Sequence, residues 1–110
     1  MAYISFADRM KRVEANLATI VSLQDVDSLQ RAERELLTAI RHQAIDARLE
    51  VRDYEYADTR AAQQAHAKAA KRFIETLRSH IVKASEYNIF GPVDVAQLTG
   101  ELENIAAELT

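Results

Sequence analysis

The first glycine in this chain is residue 91, and the only proline follows it at 92. Ninety residues therefore pass without either of the two residues that punctuate tight turns. A sheet protein of this size needs such turns every eight to twelve residues, whereas helices do not. Ala, Leu, Glu, Arg and Gln dominate instead, and these are good helix formers. The chain reads as all-α. At 110 residues it has room for one core, so residues 1–110 form a single domain. Hydrophobic residues make up 48% of the sequence, enough for a packed interior. Much of that share is alanine, which buries little area, and a thin core of this kind favours pairing with a second copy.

Apolar spacing divides the chain into four helices. Tyr3, Phe6, Met10, Val13, Leu17 and Ile20 alternate three and four apart, which predicts an amphipathic helix over about 5–24. Ser5 followed by Asp8 can cap its start. The stretch "QDVDSLQ" interrupts the stripe, and Asp27 with Gln30 reads as the capping box of a second helix over 28–56. There Leu29, Ala32, Leu36, Leu37, Ile40, Ala44, Ala47, Val51 and Tyr54 fall within about 140°. Ile45, Leu49 and Tyr56 lie near the opposite side. A helix apolar on two faces is either central in a bundle or touches a second protein.

The third helix is expected over 59–89, on Ala62, Ala69, Ala70, Phe73, Ile74, Leu77, Ile81 and Ala84, with Gly91–Pro92 as its stop. Asp94 and Gln97 suggest a capping box for the fourth, 94–109, whose stripe is Val95, Leu98, Leu102, Ile105, Ala106 and Leu109. Gly100 falls on its solvent side. Residues 28–88 as one straight helix would be roughly 90 Å long. The stripe also rotates by roughly 120° between Tyr54 and Ala61 at 100° per residue. A break is therefore expected within "RDYEYADTR", with Asp58 as N-cap and Thr59 as first helical residue. The expected architecture is an up-and-down bundle of four helices, two long inner and two short outer.

Cysteine is absent, which excludes disulfides and thiol catalysis. The N-terminal stretch lacks the apolar core of a signal peptide, and no window suits a membrane span. A soluble, cytoplasmic protein is the expectation. Net charge is −3 but uneven: residues 31–83 hold 11 Lys or Arg against 8 acids, and residues 84–110 hold five acids and no Lys or Arg. No Gly-rich phosphate loop or nucleophile elbow occurs, and the residues three before each histidine are Ala39, Gln63 and Leu77, so the Glu-x-x-His motif of di-iron bundles is missing. His42 and Asp46, one turn apart beside Glu35 and Asp53, are the nearest approach to a metal face. They read better as a solvated acidic strip. His66 falls on the third helix's apolar stripe and His80 at its border. The residues thus point to no catalytic group, no cofactor and no metal.

Two surfaces remain. Lys68, Lys71 and Arg72 project opposite the third helix's stripe and could contact phosphates. Glu75 among them, the lack of interleaved aromatics and the acidic total weigh against nucleic acid. Ile45, Leu49, Arg52, Tyr56 and Arg60 combine apolar side chains with Tyr and Arg, the types that anchor protein interfaces. The sequence reading is a non-enzymatic bundle working through protein contacts, as a homodimer or an accessory subunit of a larger assembly. A nucleic-acid regulator and a metal- or small-ligand-binding bundle are its alternatives.

Overall fold

The computed structural model describes residues 5–109, apart from the side chain of Val26. Four α-helices follow one another: α1 (Phe6–Ser22), α2 (Arg31–Tyr56), α3 (Arg60–Glu86) and α4 (Pro92–Glu108), with one 3-10 turn at Val26–Ser28. Among the described residues there is no strand, and no helix is long and apolar enough to cross a membrane. The long pair α2 and α3 make the broadest contact; α1 packs on α2, α4 on α3, and α1 meets α4 to close the ring. Phe6 meets Tyr54 edge-to-face at 5.8 Å at one end of the bundle. At the other, Gln24 Nε2 donates to the Ile89 carbonyl at 3.0 Å. Neighbours are therefore antiparallel, and the up-and-down arrangement holds.

Each helix boundary has a local cause. Ser5 caps α1 as the sequence suggests, its hydroxyl accepting from the Asp8 N–H at 3.1 Å. A second acceptor comes from far along the chain: Glu55 Oε1 takes the Ala7 N–H at 3.0 Å. The last turn of α2 thus closes the first turn of α1, and a carboxylate sits where the helix dipole favours it. Asp27 does not cap α2. It lies in the 3-10 turn, and the helix begins four residues later at Arg31, after Gln30, which makes no side-chain cap. Tyr3, expected at the edge of the first stripe, lies outside the described residues.

The break in "RDYEYADTR" is present but shifted by one residue. Ala57 ends α2 in an extended conformation, and Thr59, not Asp58, caps α3 by accepting from the Ala62 N–H at 3.1 Å. Two residues at the α2–α3 turn also leave the helical path without glycine or proline, since both Ala57 and Thr59 take ordinary β-region angles. At its far end α3 stops before the glycine. Asn88 adopts φ 60°, its N–H reaches the Ser85 carbonyl, and the Ile89 N–H reaches Ala84 at 3.1 Å. That is the paired bonding of a Schellman motif, with Asn in the left-handed position. Gly91 and Pro92, expected to stop α3, instead start α4: Gly91 is its N-cap and Pro92 its first residue. Proline suits that place because its missing N–H has no partner to lose there. Asp94 and Gln97 therefore sit inside α4, and no side chain caps it.

Inside, Met10, Val13 and Leu17 from α1 meet Leu36, Leu37, Ile40 and Val51 from α2, and Ile74, Leu77 and Ile81 from α3 meet Leu98, Leu102 and Ile105 from α4 in one core. Five alanines, 44, 47, 67, 70 and 84, are at most 3% exposed and let the long helices approach closely. Ala67 was not part of the expected stripe. Ala32, which was, is exposed, and Ala62, Ala69 and Phe73 are only half-buried. Every side chain in the buried core is apolar.

Candidate functional site

The sequence left α2 with a second apolar face, and α1 accounts for part of it. Leu17, Ala18 and Val21 of α1 and Leu37, Ile40, Ala44 and Ile45 of α2 line an open groove of about 560 Å³ between the two helices. Ala18 and Ala44 leave the space where larger side chains would have interlocked. Arg41 and the Arg48–Glu14 pair also line it, with Arg48 Nε 2.9 Å from Glu14 Oε2. Arg41 is exposed and makes no ion pair among the described residues.

The five residues expected at an interface are distributed as follows. Ile45 is half-buried in the groove, and Leu49 is half-buried one turn further along. Arg52 is exposed, with its guanidinium 3.5 Å from Asp53. Tyr56, the last residue of α2, is 81% exposed. These four lie within about 60° of one another at 100° per residue, so they continue the line of the groove towards the α2–α3 turn. Arg60 does not join them. It begins α3 and lines a separate polar hollow of about 490 Å³ with Asp58, Thr59, Gln63 and Gln64.

Lys68, Lys71 and Arg72 are all exposed on α3 and make no ion pair among the described residues. Glu75 beside them is engaged by Arg78, whose other terminal nitrogen reaches Glu103 of α4. His42 and Asp46 are both exposed. The other two histidines bridge α2 and α3: His80 Nδ1 is 2.7 Å from Gln43 Oε1, and His66 Nδ1 is 2.8 Å from Glu50 Oε2. Around the second pair, one ligand atom from each of Glu50, Asp53 and His66 lies within 4.8 Å of the other two, and all three residues are half-buried. Spacing along one helix could not show this group, because its histidine comes from the antiparallel neighbour. Its only trace in the sequence is a carboxylate pair three apart before the turn and a histidine after it.

No family model matches the chain, and no curated protein or solved structure matches it either.

Proposed function

We propose that this protein is a non-catalytic interaction module that receives a helix of a protein partner in the α1–α2 groove and along the strip running from Ile45 to Tyr56. One observation carries the reading: between α1 and α2 a groove of about 560 Å³ stays open over the apolar side chains of Leu17, Leu37 and Ile40. A groove of this kind suits the apolar face of an amphipathic helix. Arg41 and Arg52 beside it favour a partner whose flanks are acidic, through steering and register more than through raw affinity. The lining is mostly aliphatic, and its one carboxylate, Glu14, is paired with Arg48, which suits binding better than bond chemistry. As an accessory subunit or as a homodimer, the chain would use the same surface.

The test uses Ile45→Glu and Leu49→Glu, each checked for unchanged helicity by circular dichroism. Both side chains are half-buried, so covering the remainder of either would contribute less than the roughly 1.5–3 kcal/mol of burying a fully exposed one. Sedimentation of the unmutated chain from micromolar to millimolar concentration shows whether a second copy is the partner. A dimer dissolved by either glutamate identifies it as such. If the chain is monomeric, a protein captured from native extract must rebind as a purified component and lose that binding with both variants. Equal binding by parent and variants, in both formats, overturns the proposal.

A further inference from the structure

We infer that Glu50, Asp53 and His66 form a binding site for a first-row divalent metal ion of the zinc type, at the end of the bundle near the α2–α3 turn. The ligand atoms already converge: each lies within 4.8 Å of the other two, and His66 Nδ1 stands 2.8 Å from Glu50 Oε2. Ligands about 2.0–2.2 Å from a zinc ion are separated by little more than 3 Å, so closing round an ion needs only small rotamer adjustments. Two rigid helices supply the set. Glu50 and Asp53 are one turn apart on α2 beside the buried Val51, and His66 stands opposite them on α3 beside the buried Ala67.

The donor types select the ion. One imidazole and two carboxylates suit borderline metals such as Zn²⁺, Co²⁺ or Ni²⁺, whereas Mg²⁺ and Ca²⁺ take oxygen donors. With three protein ligands, water completes the coordination shell, as in open rather than closed zinc sites. Half-burial lets an ion enter from solvent while limiting the competing hydration of the carboxylates. The Arg52 guanidinium, 3.5 Å from Asp53, competes for one ligand and keeps the affinity moderate. Because the ion would join α2 to α3, its uptake would raise the melting temperature without being needed for folding.

The experiment titrates the metal-free chain with Zn²⁺ by calorimetry and with Co²⁺ by visible absorption. The expected result is saturable uptake of one ion per chain at micromolar concentration, with a higher melting temperature. His66→Ala should weaken binding by about tenfold or more, at least as much as losing an outer-shell partner does. Asp53→Asn, which disturbs only an exposed ion pair, should do the same and covers the case in which His66→Ala fails to fold. His42→Ala should leave binding unchanged. No saturable uptake below millimolar metal, or uptake that Asp53→Asn and His66→Ala both leave intact, overturns the inference.

Discussion

Asn88 takes φ 60°, a conformation that costs most side chains roughly 1–2 kcal/mol and costs glycine almost nothing. Asn88→Val should therefore destabilise the protein by about that amount, and Asn88→Gly should leave it equal or slightly more stable. Chemical denaturation of the two variants side by side checks this. Proline scanning tests the α2–α3 turn in the same way. Thr59 has φ −124°, far from the value near −65° that proline demands, and its hydroxyl caps α3. Thr59→Pro should cost about 1–2 kcal/mol, since the cap alone is worth roughly 0.5–2. Arg60, the first helical residue, is where proline belongs, and Thr59 before it already has the extended angles that precede proline. Arg60→Pro should change stability by no more than about 1 kcal/mol, in the stabilising direction. Equal losses from both substitutions would place the helix start elsewhere.

At the scale of the element, the contact between α2 and α3 depends on small side chains. Ala47 and Ala70 are fully buried, so a larger residue at either would have to be accommodated within the core. Ala70→Leu should cost about 1–3 kcal/mol by forcing the two helices apart or their neighbours off their rotamers. The loss would appear in the denaturation midpoint, with helicity in water retained. Tethering of α4 is different in kind. Arg9 pairs with Glu108 and Arg78 with Glu103, and all four side chains are partly exposed. Exposed pairs contribute roughly 0–1 kcal/mol each and are screened by salt. Glu103→Gln should therefore shift stability by less than about 1 kcal/mol, measured at low and high salt. A larger loss would mean that Arg78, whose Nε is buried without a partner, is held chiefly by that carboxylate.

Taken whole, the molecule is a rod of 48 × 30 × 17 Å whose length is set by α2 and α3, each about 40 Å at 1.5 Å per residue. The shorter α1 and α4 cover this hairpin and complete one core. Leu77 is fully buried there. Leu77→Ala should cost about 2–5 kcal/mol, a large part of the stability of a domain this size. A single cooperative melt, moved down as a unit, is the expected observation; loss of α4 alone in hydrogen exchange would show that the four helices do not act together.

What the sequence determined by itself was the periodic part. The three-and-four spacing through Met10, Val13 and Leu17 and the run Leu98, Leu102, Ile105 and Leu109 specify helices and their inward faces, because an α-helix brings such residues to one side whatever surrounds it. The break near residue 58 was legible for the same reason, as a rotation of the stripe. Helix ends were not, because a cap is a matter of backbone angle that several residues can adopt. Thr59 did what Asp58 could have done, Asn88 did what Gly91 could have done, and Glu55 accepted a first-turn N–H of α1 from Ala7, 48 residues before it. Of the candidate sites, the strip Ile45, Leu49, Arg52 and Tyr56 was legible along α2, but what lies between helices was decided by tertiary structure. Ile45 was legible as an interface residue of α2, but the groove it lines exists only with α1 beside it, and the Glu50–Asp53–His66 group exists only because the chain reverses at Ala57 and brings α3 back along α2. Periodicity acts within one helix. A groove or a ligand set belongs to the space between two, and its geometry is fixed only when they pack.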